Sequence, residues 1–461
     1  MFLGFPGSKK TCAGLVFSIV LAISLLSCGT STRGSQAVRS GLAFRAFISN
    51  PVFPNGAGGG TPVVEIMDAS RDVLSTSFIS LSSLAFSVAD AGPMVVTPRK
   101  DRTLMISPAD ARLVIINNAQ ESASSAVSLP GPTASVLAAS DNLTAFAAVP
   151  SASVPGQSPG AVERIDISSG TITASIPVPG AHYLVASPNG NEILVLSDNS
   201  NTVTLLIPSL IGTSGASNTP PPCFSPPVAA CAITAPGLDR PVGAVVDGSS
   251  STAYIMDCGP ECGGTKSAVS ILDLSPISAG NPPVVTSTIP VAAASSGLLQ
   301  GNVLYVAGTA PGQGCDPTSA LCGALSVIDL SSGPANVVCT PSPQSPMVAC
   351  TVFAISDGFH DLAVMGANGQ LFLGARNCTN VNTSSSVRGC LSIFNTATKT
   401  VVMPPDNGDV TGIAPISNRS VVYLCEGGNL RIYDTTTDKL ETMPSPPPSI
   451  IGQAIDVKVV D

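Results

Sequence analysis

The residues of this 461-residue chain best suited to chemistry are its thirteen cysteines and two histidines. Ten of the cysteines stand as close neighbours: Cys223 and Cys231, Cys258 and Cys262, Cys315 and Cys322, Cys339 and Cys350, Cys378 and Cys390. Such pairs can form local disulfides in an oxidising compartment or bind zinc. Zinc sites favour paired two-residue spacings and supporting histidines. "CGPEC" and "CDPTSALC" lack the spacing and the chain has only two His, so disulfides are the expectation, with no metal. Cys425, in the apolar stretch "VVYLCEG", is expected to be a buried free thiol.

No Gly-rich phosphate loop, G-x-S-x-G elbow or H-E-x-x-H motif is present, so no catalytic residue is assigned and no cofactor is expected. The absence of Trp and the presence of only five Tyr argue against aromatic sugar platforms. His182, Arg240 and His360 are the candidates for a ligand funnel. Ordinary loop polarity is the competing reading.

These residues are positioned by a repeated phrase. "GAVERIDISSG" (Gly160–Gly170) returns as "GALSVIDLSSG" (Gly323–Gly333). Looser copies end at Asp68, Asn117, Ile207, Asp273, Asn395 and Asp434, with Asp166 and Asp329 ending the two quoted. The base period is about 40–50 residues with insertions, as in four-stranded propeller blades. Each copy reads as a third strand closed by a turn. An Asp at that point accepts backbone N–H groups two residues on, so the acids are turn-makers rather than a cation-binding ring.

The composition agrees with many short buried strands: 44% apolar, 11% charged, 43 Gly and 41 Pro. The formal net charge is −9 and the Lys and Arg are scattered, which argues against a nucleic-acid partner. "FRAFISN" (44–50) looks like a second strand with no first strand before it. "IIGQAIDVKVVD" (450–461) follows the eighth phrase with no blade of its own. The last segment is therefore predicted to supply the missing inner strand and close an all-β, eight-bladed β-propeller, with seven blades as the alternative.

At the other end, Lys9 and Lys10 precede an apolar stretch from Ala13 to Leu26, the pattern of a signal peptide too short to span a bilayer. Leu25-Leu26-Ser27-Cys28 resembles the bacterial lipobox, which implies lipidation at Cys28 and an N-terminal membrane anchor. The domain expectation is a signal peptide over 1–27, a lipidated flexible tether over 28–41 and the propeller over 42–461. The location implied is the bacterial cell envelope, periplasmic or surface-exposed, the outer membrane before the inner.

The stretches "LVASPNGNEILVLSDNSNTVTLL" (184–206), "NVLYVAG" (302–308) and "SVIDLSSG" (326–333) resemble the YVTN or YncE type of β-propeller repeat. The resemblance covers about 42–461. It implies a scaffold fold and little about activity, and most blades depart from the full "SPDG" turn. The functional expectation is a binding or scaffold module for an envelope protein partner or a surface ligand, the cysteine-braced inserts of blades four to seven forming the contact surface. The alternative is a hydrolase or lactonase-like enzyme with its site at the channel mouth.

Overall fold

A computed structural model describes residues 39–54, 60–82, 86–133, 135–211, 230–233, 237–279, 281–310, 321–331, 333, 339, 350–379, 381–382, 387–406, 408–441 and 448–461. The expected signal peptide, Cys28 and most of the tether lie outside these residues. Side chains of 230–233, 381–382 and 387–388 are also outside the description.

The strands form eight four-stranded antiparallel sheets, so the seven-bladed alternative is set aside. Blade one comprises Asp456–Val459, Arg45–Pro54, Gly60–Asp68 and Val73–Ser80, from inner to outer strand. Blade two is Met94–Val96, Arg102–Ser107, Arg112–Asn117 and Ser122–Ser128, and blade three is Ser135–Ala138, Thr144–Val149, Ala161–Asp166 and Thr171–Pro177. Blade four is Ala181–Ala186, Ile193–Ser197, Val203–Leu206 and Ala230–Ile233. Blade five is Pro241–Val246, Thr252–Asp257, Ala268–Asp273 and Val284–Pro290. Blade six is Ser296–Gln300, Val303–Thr309, Gly323–Asp329 and Cys350–Ile355. Blade seven is Phe359–Met365, Gln370–Arg376, Leu391–Asn395 and Thr400–Val402, with a small hairpin (Val381–Asn382, Val387–Arg388) between its second and third strands. Blade eight is Val410–Pro415, Val421–Glu426, Asn429–Asp434 and Lys439–Leu440.

The repeated phrase is the third strand in every blade, and the turn chemistry is the expected one. Asp68, Asp166, Asp273, Asp329 and Asp434 each accept the backbone N–H two residues on, at 2.6–3.0 Å. Second and third strands are apolar on both faces because both faces are covered. In "ILVLS", Leu194 and Leu196 pack toward blade five while Ile193 and Val195 pack toward blade three. Each pair of neighbouring blades encloses one such apolar cluster, including blades one and eight.

The ring closes as the two chain ends predict. Asp456–Val459 pairs antiparallel with blade one, Ala46 facing Val459 and Ser49 facing Asp456. This covers an edge that would otherwise offer unpaired backbone groups. Arg45 clamps the seam: its guanidinium lies 2.6 Å from Asp461 Oδ1 and 2.8 Å from Glu121 Oε1. Across the blade one–eight interface, Arg419 Nη2 donates to Asp72 Oδ2 at 2.6 Å while Tyr423 donates to Asp72 Oδ1.

Three disulfides are formed as expected: Cys258–Cys262, Cys339–Cys350 and Cys378–Cys390. Cys322 is also disulfide-bonded. Cys315, Cys223 and the Cys231 side chain lie outside the described residues. Cys425 is a buried free thiol. Disulfides of this kind belong to an oxidising, non-cytoplasmic compartment. No helix among the described residues is long and apolar enough to cross a membrane.

Candidate functional site at the mouth of the ring

In an antiparallel four-stranded blade, the turn between second and third strands lies at the same end as the connection into the next inner strand. The Cys258–Cys262 and Cys378–Cys390 inserts therefore share a face with the segments that carry His182, Arg240 and His360. We call this face the mouth. Cys339–Cys350 braces the opposite face.

At the mouth end of four inner strands the pairing slips by one residue. Ala181 faces Ser197 but Tyr183 faces Leu196; the same break follows Pro241, His360 and Val410. The residues left over are His182, Val242, Asp361 and Thr411. Such bulges re-aim a side chain where a strand ends, and they recur beside functional sites. The residue before each bulge is buried: Ala181, His360 and Val410 are 0% exposed.

This register corrects the expectation for His360. It occupies the place of Ala181, whereas Asp361 occupies the place of His182. His360 is fully buried, with neither ring nitrogen hydrogen-bonded. Burial pushes its pKa down to about 4, against the opposing influence of the Gly358 carbonyl and Asp357, so the ring is neutral at ordinary pH. It does not face the mouth.

His182 does. Its Nδ1 lies 2.6 Å from Asp198 Oδ1, and its ring stacks on Tyr183 with centroids 4.1 Å apart. Asp198 thus fixes the ring and leaves Nε2 pointing elsewhere, an orienter-and-base arrangement with no nucleophile among the described residues hydrogen-bonded to it. Burial, with Asp198 and Asp361 adding to it, pushes the Tyr183 hydroxyl up to about 12. Asp361 is 2.6 Å from Arg376 Nε as an ion pair, and its other oxygen, Oδ1, is buried without a hydrogen bond.

Arg240 stands in the left-handed backbone region, φ 59°. The equivalent position in blade four is Gly180, φ 65°. The two carbonyls accept matching N–H groups, from Cys258 at 3.0 Å and Asp198 at 2.8 Å. An arginine there carries a backbone cost of about 1–2 kcal/mol that glycine avoids. Its own N–H donates to Asn201 Oδ1 at 3.1 Å. Among the described residues its guanidinium has neither an ion pair nor a hydrogen bond. The adjacent Asp239 accepts at its Oδ2 from the N–H groups of Thr265 and Lys266 and from the Thr265 hydroxyl; against the desolvation of its carboxyl, these bonds and the nearby Arg240 charge hold it below the usual carboxylate range.

Tyr183, Ser197, Asp198, Asn199, Arg240, Pro241, Val242, Cys262 and Phe359 line one pocket of about 130 Å³. His182 and Arg240 are thereby brought to the same site, His182 through its two partners, while His360 is not. The Cys258–Cys262 bridge forms part of the wall, and Glu261 inside it accepts the Thr309 N–H at 3.0 Å, tying the insert to blade six. Burial pushes Glu261 up to about 7 and Asp257, beneath the insert, up to about 7. Among the described residues no group of three or more His, Cys, Asp or Glu is placed to hold a metal ion.

Asp198 and Phe359 were not singled out from the sequence. Asp198 has a signal: it follows the second strand "EILVLS" just as Cys258 follows "TAYIMD", and aligning blades would have placed it beside the inner strand's bulge. Phe359 comes from blade seven and reaches the pocket only through the geometry of the ring.

No family model matches the chain, and no curated protein matches it. Solved structures do. A dihydro-heme d1 dehydrogenase solved in complex with DHE is 12% identical, covering 91% of this chain and 75% of its own, with a TM-score of 0.57. Hydrazine synthase of Kuenenia stuttgartiensis is 11% identical over 77% of this chain and 99% of its own, with a TM-score of 0.52. A putative 6-phosphogluconolactonase of Bacteroides fragilis is 11% identical over 91% and 98%, with a TM-score of 0.46. At such identities the likeness is one of fold alone: the chain is an eight-bladed β-propeller.

Proposed function

We propose that the protein is an envelope-located binding module of the YVTN or YncE kind, tethered through lipid on Cys28, that recognises its ligand at the mouth face. The fold supports a binding or scaffold role, and the observation that carries the site is an unpaired Arg240 in a pocket walled by a disulfide-braced insert. Rigid loops on a rigid scaffold lower the ordering cost of recognition. The braced insert of blade seven, Cys378–Cys390, extends the same face, which suits an envelope protein or surface ligand larger than the pocket itself.

The lactonase-like alternative rests on the His182–Asp198 pair. Among the described residues that pair has no partner nucleophile, and the pocket is well below the roughly 300–1,000 Å³ of common substrate sites. Binding is therefore the reading we adopt.

The test is a thermal-shift screen of the purified chain against sugars, small acids, amines and peptidoglycan fragments, repeated with Val242→Trp. A ligand at a hundred times its Kd adds about 2.7 kcal/mol of stability. Shifts abolished by filling the pocket support the mouth. Shifts that survive Val242→Trp would place binding elsewhere and defeat the proposal. The anchor is tested separately by mass measurement of the exported N-terminus, with Cys28→Ser as the variant expected to lose the acyl mass.

A further inference from the structure

Taking the mouth as the binding site, we infer the ligand's chemical class: a small carboxylate bearing a hydrogen-bond donor on the adjacent carbon, as in an α-hydroxy or α-amino acid. The inference rests on the preceding reading and adds the chemistry.

Arg240 is the cation of the pocket; its charge acts on the neighbouring Asp239, but among the described residues its fork makes no hydrogen bond. A guanidinium in that state matches a carboxylate bidentately, two parallel N–H···O bonds on one planar group. Its placement is not incidental to folding, since glycine serves the same backbone position in blade four without strain. The side chain is kept at a left-handed position that glycine fills at lower cost in blade four.

The rest of the lining sets the charge and size. Asp198 lines the same pocket with its Oδ1 engaged by His182, while its Oδ2 has no hydrogen bond among the described residues. That oxygen is an acceptor waiting for a donor. Burial first, then Asp198 and Asp361 acting against Arg376, raise the Tyr183 hydroxyl; with one unpaired cation and the Asp198 carboxylate in its lining, the pocket matches a monoanion better than a dianion such as phosphate. Tyr183, Phe359, Pro241 and Val242 supply an apolar wall for a short hydrocarbon remainder.

At about 130 Å³ the pocket has room for roughly four water molecules. A ligand of that size reaches at best about micromolar affinity, and millimolar is the ordinary expectation. Such a carboxylate could be a free small acid or the end group of a longer envelope molecule; both present the same atoms to Arg240.

The experiment is ligand-observed NMR or calorimetry on the full chain with glycolate, lactate, glycine, acetate, propionate and inorganic phosphate. Lactate and glycolate, or glycine, should bind at least about fivefold tighter than propionate and acetate, and the hydroxy and amino arms identify which donor Asp198 prefers. Phosphate should bind more weakly than either. Arg240→Gly should weaken binding at least about tenfold, and Arg240→Lys should recover only part of it, because an ammonium lacks the fork. The thermal midpoint of Arg240→Gly should stay within about 2 °C of the parent, so that lost binding is not lost fold.

Equal binding by the Gly variant, equal affinity for phosphate, or no preference for the donor-bearing acids would each overturn the inference. An uncharged ligand blocked by Val242→Trp but indifferent to Arg240→Gly would overturn it while leaving the mouth reading intact. Glycyl and lactyl end groups on longer molecules, compared with their amides, separate a free acid from a terminal one.

Discussion

Glu426 offers a test of the electrostatics in the ring interior. It ends the second strand of blade eight, is 1% exposed, and its Oε2 has no hydrogen-bond partner. Burial, with Asp406 nearby, pushes its pKa up to about 8, against Arg431 and a hydrogen bond with Tyr433, from an ordinary value of 4.5. A raised carboxyl is protonated when folded and ionised when unfolded over the interval between the two values. The unfolded state then binds fewer protons, so stability falls as pH rises from about 4.5 to about 8 and is level beyond. At pH 7 the cost is about 3 kcal/mol, one pH unit being worth about 1.4 kcal/mol.

Glu426→Gln removes that ionisation. The amide brings donors that also need partners, a cost of about 1 kcal/mol that does not vary with pH. With about 2.1 cal/mol/K of unfolding entropy per residue, a ring of some 420 residues shifts its midpoint by about 1 °C for each 0.9 kcal/mol. Relative to the parent, the variant should therefore gain about 3 °C between pH 5 and pH 7.5, read by scanning calorimetry in matched buffers. Parallel midpoint curves across that range would refute the reasoning, because they would mean that Glu426 ionises alike in both states.

Three further outcomes follow from the seam and the braces. Arg419→Ala leaves Asp72, 4% exposed, with Tyr423 but no cation, and should lower stability by about 3–5 kcal/mol, or roughly 3–5 °C; an unchanged midpoint would remove that pair from the closure. A chain stopped after Ala454 loses the inner strand of blade one and should elute as higher oligomers with a broadened melt, whereas a parent-like monomer would show that the seam is dispensable. Replacing Cys378 and Cys390 by Ser opens a loop with a sequence separation of 12 and should cost about 2–3 kcal/mol, with new protease cleavage between the two positions; a parent-like melt and digest would leave the bridge without a bracing role.

The fold was legible because its signals are local and repeated. A third strand buried on both faces must be apolar throughout, and the Asp that closes it must meet a donor two residues on, so Asp166 and Asp329 announce the same element 163 positions apart. The closing strand was legible for a related reason: one segment lacked a partner at each end of the chain. The site was legible only in part, because it depends on a register that no such repeat specifies. His182 and His360 both enter inner strands, yet one residue of slippage at the bulge sends the first to the mouth and the second into the interior. Polarity alone cannot distinguish them, since burying an unpartnered imidazole is costly and unexpected. Arg240 shows the converse. Its type suggested a ligand contact, but its left-handed backbone and a guanidinium without a hydrogen bond among the described residues are properties of the folded ring. The bulge residues His182, Val242, Asp361 and Thr411 each follow a buried position, so the register of the inner strand decides which side chain joins the interblade packing and which is left out of the ladder.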